Sequence, residues 1–90
     1  MIVKWNRKKA LANRRKHGIG FREAATVMGD PLATTFPDPD HSQVEPRFLT
    51  IGMPSCGQLL VVSHTEERES IRIISGRRVT FAERRFYEEG

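Results

Sequence analysis

The sequence has little cysteine and no long apolar stretch, and each shortage excludes a class of protein. Its single cysteine, Cys56, stands in the turn-like stretch "MPSCG". A disulfide framework and a thiolate-rich zinc site are therefore both excluded. No apolar run has the length of a signal-peptide core or of a membrane span. We accordingly expect a cytoplasmic protein that makes no contact with a membrane.

The length of the chain limits it to one small core. With 90 residues we expect a single domain over residues 1–90. The hydrophobic content of 38% and the aromatic content of 8% are ordinary for a folded globular protein. Wholesale disorder is therefore not expected.

Acidic residues are missing from the first 22 positions. That segment contains eight lysines and arginines and has a net charge of +8, whereas residues 23–70 have −6 and residues 71–90 have +2. If the two ends of the chain meet in the fold, they form one basic face, which is typical of a nucleic-acid-binding protein. The alternative is a pair of solvated helix surfaces.

Capping signals and apolar spacing predict three helices. Asn6 is a favourable N-cap for a helix over residues 7–17, and Gly18 is placed to end it. The apolar spacing in "FREAATVM" predicts a second helix, so that the two form an αα-hairpin. Thr80 and Glu83 stand at capping-box spacing and begin a third helix.

Four strand-like stretches lie between the second and third helices: "LATTF", "RFLTIG", "QLLVVSHT" and "SIRIIS". The last three are joined by short gaps, which favours an antiparallel meander. In "PDPDHS" the prolines and aspartates indicate a turn rather than a metal-ligand set of Asp38, Asp40 and His41. The predicted fold is α+β, with two N-terminal helices, a four-stranded antiparallel sheet and a C-terminal helix.

Three arginines stand in the predicted strand "SIRIISGRR". Strict alternation places Ile71, Ile73, Ser75 and Arg77 on one face and Arg72, Ile74, Gly76 and Arg78 on the other. An arginine that emerges among apolar neighbours attracts an anion strongly. Arg47, which begins "RFLTIG", is a candidate to join such an arginine from a neighbouring strand.

Several motifs in a fixed order carry a resemblance to a known family. "RKHGIGFREAATVMGDP", "DPDHS", "EPRFLTIG" and "IRIISGRRVTFAERRFYEE" together resemble the BrnT family of toxins from type II toxin–antitoxin systems. The similarity extends from Trp5 to Glu89, and Gly76 departs from it where alanine is usual. It implies a RelE-like endoribonuclease that cleaves RNA and inhibits translation. We expect no cofactor.

The resemblance also implies a protein partner. Toxins of this family are held inactive by an antitoxin from the adjacent gene, which resembles a ribbon-helix-helix DNA-binding protein. The implied antitoxin dimerises and carries two toxins, and it is this antitoxin that contacts the operator DNA.

RNA cleavage through the substrate's 2′-hydroxyl needs a proton acceptor, a proton donor and cations near the phosphate, but no metal. Arg72 and Arg77, with Arg47 beside them, are the candidates to stabilise the phosphate charge. The alternative for Arg72 is a structural ion pair with Glu45 or Glu69.

Glu45 and His17 are the main further candidates for proton transfer, and Tyr87 of the third helix is a minor one whose alternative is a core residue. Glu45 shares a strand face with Arg47 if the strand begins early, and His17 stands at a helix C-terminus, which favours the protonated ring. The alternatives are a solvated loop acid and a residue that caps its helix. His64 is interpreted as a half-buried structural histidine. The residues expected to bind the RNA backbone in a salt-dependent way are Lys9, Arg14, Lys16 and Arg78.

The rival hypothesis is a non-catalytic module that binds nucleic acid or protein through the basic face. The αα-hairpin superficially resembles a helix-turn-helix. However, its more basic helix comes first, whereas the recognition helix of that motif comes second.

Overall fold

The computed structural model describes residues 1–41, 44–55 and 57–89, so Cys56 and its predicted turn lie outside the described residues. The chain forms β1 (Ile2–Trp5), α1 (Arg7–His17), α2 (Phe21–Thr26), β2 (Thr34–Pro37), β3 (Phe48–Gly52), β4 (Leu60–Glu66), β5 (Ser70–Arg78) and α3 (Phe81–Glu89). Short 3-10 helices at Val27–Gly29 and Pro39–His41 follow α2 and β2.

The sheet has five strands in the order β1-β5-β4-β3-β2. β1 runs parallel to β5, with Ile2 opposite Ser70 and Trp5 opposite Ile73, and the other neighbours are antiparallel. The predicted four-stranded antiparallel sheet, and the chain order that began with two helices, are therefore wrong. β1 has four residues and pairs with a strand near the other end of the chain, so no local pattern marks it.

Local capping fixes the start of α1, its end and the start of α3, as predicted. The Asn6 side chain accepts a hydrogen bond from the Lys9 amide at 3.1 Å. Gly18 adopts a left-handed conformation with φ of 71°, which glycine tolerates without strain. The Thr80 amide donates to the Glu83 carboxylate at 2.8 Å, and the Glu83 amide donates to the Thr80 hydroxyl at 3.2 Å.

α1 and α2 cover one face of the sheet, called here the helix face. Its buried core consists of Ile19, Phe21, Ala24, Val27, Leu60, Val62 and Ile73. Gly76 lies under α2, where an added Cβ would stand 3.2 Å from the Ala24 Cβ. Asn13 of α1 bonds the Gly76 carbonyl at 2.9 Å, the Gly76 amide at 3.1 Å and the Ile19 carbonyl at 3.0 Å. Close packing and a buried amide therefore tie α1 and α2 to β5.

α3 lies on the opposite face, called here the groove face, and covers part of it. Phe86 of α3 contacts Phe36 of β2 with ring centroids 5.7 Å apart. The Tyr87 hydroxyl donates to Asp30 at 2.7 Å, and the Asp30 carboxylate also accepts from the Met53 amide at 2.8 Å. These contacts hold α3 over the β2–β3 edge and leave the β4–β5 part of the groove face open.

A β-bulge in β5 overturns the predicted alternation of its side chains. Ser63 stands opposite Ser75 and His64 opposite Ile73, so Ile74 is an extra residue in β5. One extra residue inverts the alternation beyond it. Ile73 and Gly76 consequently both face the helices, while Arg72, Ser75 and Arg77 all face the groove. The prediction that placed Arg72 and Arg77 on opposite faces is wrong.

Candidate functional site

A shallow groove on the groove face brings together charged and polar side chains from four segments. It is called here the arginine groove, and it is lined by Asp38, Asp40, His41, Arg47, Leu49, Ser63, Ile74, Ser75 and Arg77. Two of the arginines that the sequence nominated, Arg47 and Arg77, therefore lie in one groove. Arg47 reaches it from the start of β3 and Arg77 from the end of β5, two strands away.

Arg77 is oriented by the first turn of α3. Its Nη1 and Nη2 donate to the two carboxylate oxygens of Glu83 at 2.8 and 2.9 Å, and Nη1 also donates to the Arg78 carbonyl at 3.2 Å. The hydrogen bond from Arg77 lowers the pKa of Glu83 to about 2, and the same bond raises the pKa of Arg77. The Nε–H and the second Nη2–H form the other fork of the guanidinium. Neither donates to another described residue.

Arg72 forms an ion pair with Glu45, one of the two alternatives that the sequence left open. Its guanidinium also stands 3.9 Å from Glu67, which Lys4 binds at 3.1 Å. Glu45 lines a pocket with Arg47 and His41, beside the arginine groove. Arg72 and Glu45 thus lie next to the groove, and each compensates the charge of the other.

His41 was not predicted as a site residue, yet the structure places it in the arginine groove. Its Nδ1 lies 2.9 Å from Oδ2 of Asp38. The Asp38 side chain is 10% exposed, whereas the His41 ring is 64% exposed. The predicted turn is confirmed, because Pro39–His41 form a 3-10 helix. The signal in the sequence was the Asp-x-x-His spacing, which brings the two side chains together within one such turn.

A second groove meets the first at the bulge. It is called here the lysine groove and is lined by Lys9, Ala12, Asn13, Lys16, His17, Ile74 and Ser75. Ile74 and Ser75 line both grooves, so the basic surface of α1 continues into the arginine groove. Lys9, Lys16 and His17 of the predicted set therefore border the lysine groove.

The other two residues predicted to bind RNA lie elsewhere. Arg14 stands with Arg22 and Glu23 at a separate pocket beside α2. Arg78 is exposed at the end of β5, paired with Leu60 of the helix face. The structure does not bring these two arginines to either groove.

His64 and α2 are part of the packed interior. The His64 ring is 1% exposed, and its Nε2 lies 2.7 Å from the Thr50 hydroxyl. Burial lowers the pKa of His64, so the neutral ring is favoured. In α2, Phe21 and Ala24 are buried against the sheet, as the core interpretation of that helix expected. α2 is therefore not placed to act as a recognition helix.

Neither a metal-ligand cluster nor a membrane-spanning helix is found in the described part of the chain. Among residues 1–41, 44–55 and 57–89, no group of three His, Cys, Asp or Glu side chains is arranged to hold a metal ion. Within the same residues, none of the helices combines the length and the apolar character that crossing a membrane requires.

Comparisons with known proteins identify the family. A family model described as the ribonuclease toxin BrnT of type II toxin–antitoxin systems matches residues 5–83. The structure resembles the crystal structure of the Brucella abortus ribonuclease toxin BrnT, with a TM-score of 0.69 and 23% identity over 89% of this chain and 97% of that one. No curated protein sequence matches the chain significantly. Because the family model spans most of the sequence, the chain belongs to the BrnT family of ribonuclease toxins of type II toxin–antitoxin systems.

Proposed function

We propose that this chain is an endoribonuclease that cleaves RNA through the substrate's own 2′-hydroxyl, without a metal ion, and thereby inhibits translation in the cytoplasm. Family membership supports a ribonuclease toxin with RNA as its substrate. The observation that carries the proposal is the bulge at Ile74, which turns Arg72 and Arg77 to the same face of the sheet. Arg77 then lines one groove with Arg47.

Arg47 and Arg77 suit the negative charge that develops on the phosphate during cleavage. Attack on the phosphorus places additional negative charge on the non-bridging phosphate oxygens. Arg77 is a permanent cation, and the hydrogen bonds that it donates to Glu83 raise its pKa further. Glu83 occupies one fork of the guanidinium and leaves the other for a phosphate, which arginine binds through two parallel hydrogen bonds. Arg47 approaches the same phosphate from β3.

Five of the seven remaining nominated residues lie in or beside the two grooves. In the proposal, Arg72 and Glu45 flank the groove as an ion pair, with Glu45 near the scissile nucleotide. Lys9, Lys16 and His17 border the lysine groove, and they bind the backbone of the same RNA beyond the bulge. Arg14 and Arg78, which lie outside both grooves, contact only longer RNA. Binding then weakens steeply with salt.

The test is cleavage of an end-labelled RNA by the purified chain, with and without ribosomes. We expect Arg47→Ala and Arg77→Ala each to lower the cleavage rate by about a hundredfold, because each removes a stabilising donor from the transition state. Arg68→Ala is the charge-matched control, since Arg68 is exposed in the β4–β5 turn. The melting temperatures of all variants separate lost chemistry from lost folding.

Two further measurements address the route of cleavage. An RNA with a single 2′-deoxynucleotide at the cleavage position should resist cleavage at that bond alone, and EDTA should leave the rate unchanged. Intact RNA after incubation with folded native chain, both with and without ribosomes, contradicts the proposed function. If Arg47→Ala and Arg77→Ala both cleave at the native rate, the chain is still a ribonuclease, but its active site does not lie in the arginine groove.

Membership of a type II toxin–antitoxin family implies a protein antitoxin as partner. We propose that this antitoxin is a ribbon-helix-helix-like protein from the adjacent gene, that its dimer carries two toxins, and that operator DNA is bound only through it. The basic surface of α1 supports an acidic docking surface on the antitoxin. The mass of the co-purified complex tests the stoichiometry, and a value other than two toxins per antitoxin dimer contradicts it.

A further inference from the structure

We infer that His41 is the residue that accepts the proton of the 2′-hydroxyl and that Asp38 positions it for this role. The inference rests on the proposed ribonuclease function and identifies a proton acceptor within the same groove. His41 lines the arginine groove together with Arg47 and Arg77. A proton acceptor is thus combined with the two cations that hold the phosphate.

The structure holds the His41 ring in place through Asp38. Their side chains are joined at 2.9 Å, and the Asp38 side chain is 10% exposed. The Asp38 amide donates to the Arg47 carbonyl at 2.9 Å, which fastens the turn to the strand that carries Arg47. His41 is therefore fixed relative to one phosphate-binding arginine while its ring remains open to solvent.

The Asp38 contact also determines which ring nitrogen is available. An ionised carboxylate only accepts hydrogen bonds, so the neutral His41 ring carries its proton on Nδ1 and donates it to Asp38. Nε2 then has an unshared electron pair, as a general base requires. The same carboxylate stabilises the imidazolium that forms when Nε2 accepts a proton.

The other candidate bases in this region are less suited to the task. Glu83 is bound by Arg77 and has a pKa of about 2, so it is a weak base at neutral pH. Glu45 is held in an ion pair by Arg72. His64 is buried on the helix face. Histidine also has the ordinary pKa closest to neutrality among side-chain bases.

The proposed step is an internal transfer of the phosphate ester. The 2′-oxygen forms a bond to phosphorus as its proton moves to Nε2 of His41, and the bond from phosphorus to the 5′-oxygen breaks. The departing 5′-oxygen takes a proton from water. The products are a 2′,3′-cyclic phosphate and a 5′-hydroxyl, and the imidazolium then returns its proton to solvent.

The first test is His41→Gln, a substitution at an exposed side chain. We expect the cleavage rate to fall by about a hundredfold or more, because general bases contribute on that order. The melting temperature should stay near the native value. His41→Gly provides a second readout, because added imidazole should restore part of its cleavage rate, which a merely structural role for the ring does not predict.

The second test separates positioning from charge. Asp38→Asn and Asp40→Asn remove the same charge from the same turn, but only Asp38 bonds the His41 ring. The amide of Asp38→Asn can donate to Nδ1 and so place the ring proton on Nε2, which abolishes the base. We expect Asp38→Asn to lose more activity than Asp40→Asn, and the excess measures the Asp38–His41 contact.

The pH profile is the third readout. The charged groups that line the pockets around His41 are Asp38, Asp40, Glu45, Arg47 and Arg77. The native cleavage rate should rise with pH and then level off, as catalysis by a general base requires. His41→Gln should lose this rise.

The outcomes distinguish the proposed ribonuclease function from the inferred role of His41. If the native chain cleaves and Arg77→Ala does not, while His41→Gln cleaves at the native rate and with the native pH profile, the inference about His41 is overturned and the ribonuclease stands. If folded native chain leaves RNA intact, both fail. Loss of cleavage in His41→Gln with imidazole rescue of His41→Gly supports the inference.

Discussion

On the helix face of the sheet, β5 places Ile73 and Gly76 against apolar side chains, whereas on the groove face it places Arg72, Ser75 and Arg77 along an open groove. Ile73 is completely buried, and a Cβ added at Gly76 would stand 3.2 Å from Ala24. Arg72 and Arg77 remain 35% and 37% exposed and are each bound to a carboxylate. A single strand therefore contributes to the core and to the site at once.

Stability and chemistry are thus divided between the two faces of the sheet. The helix face is close-packed, so added or removed atoms there change the free energy of unfolding. On the groove face the charged side chains are held by neighbours and reached by water, so substitutions there affect charge and proton transfer more than folding. The bulge at Ile74 makes this division possible.

Two neighbouring isoleucines, Ile73 in the core and Ile74 at the bulge, should differ most in what their truncation does to the free energy of unfolding. Ile73→Ala should lower the free energy of unfolding by about 3 kcal/mol, because it leaves a cavity in a fully buried site. Ile74→Ala, at the bulge, should cost less than about 1 kcal/mol. Urea denaturation of both variants measures the difference. Equal losses at the two positions would show that the bulge residue is also part of the core, and the proposed division between faces would fail.

The next effect concerns the polar link between α1 and β5. Asn13→Ala leaves the amide and carbonyl of Gly76 and the carbonyl of Ile19 without their partner. We expect a loss of about 2 kcal/mol, since each unsatisfied buried group costs about 1–3 kcal/mol and water can reach this site from the lysine groove. Leu11→Ala, at an exposed position of the same helix, is the control. Unchanged urea midpoints for both variants would contradict a role for Asn13 in joining helix to sheet.

Sequence reasoning succeeded where the determinants are local. Asn6, Gly18 and the Thr80–Glu83 capping box act on neighbouring backbone groups, so the residue types alone predict the helix ends. The antiparallel order of the last three strands also followed from their short connections. β1 was missed because its partner is distant in sequence and because a four-residue strand has almost no pattern of its own.

The candidate site was only partly predictable, for a physical reason. Arg47 and Arg77 were nominated from their chemistry, and they do lie in one groove. Their relation to Arg72 was mispredicted, since a bulge depends on pairing with β4 and strict alternation cannot reveal it. Asn13 was missed because its partners are backbone groups of other segments, at Ile19 and Gly76. The Asp38–His41 contact is local, but its place beside Arg47 and Arg77 exists only after folding.

The smallest predicted effect is on the pH dependence of stability, which differs between the two faces of the sheet. On the helix face, burial lowers the pKa of His64 below its unfolded value, so the unfolded chain binds the proton more readily. The contribution of His64 to stability is therefore complete above about pH 6.5 and declines as the pH falls below that value. On the groove face, the hydrogen bond from Arg77 lowers the pKa of Glu83 to about 2. The contribution of Glu83 to stability is complete above about pH 4.5 and is lost as the pH falls towards 2.

Urea denaturation between pH 7.5 and pH 2.5 resolves the two steps. His64→Gln should flatten the dependence below about pH 6.5, and Glu83→Gln should flatten it below pH 4.5, the latter by about 1 kcal/mol. The Glu83 step should shrink in Arg77→Ala, because that carboxylate loses the largest cause of its lowered pKa and keeps the hydrogen bond from the Thr80 amide. The His64 step should survive in Arg77→Ala, since His64 lies on the other face of the sheet. A Glu83 step of unchanged size in Arg77→Ala would show that groups other than Arg77 lower the pKa of the carboxylate, and Arg77 would then be less firmly oriented towards the phosphate than proposed.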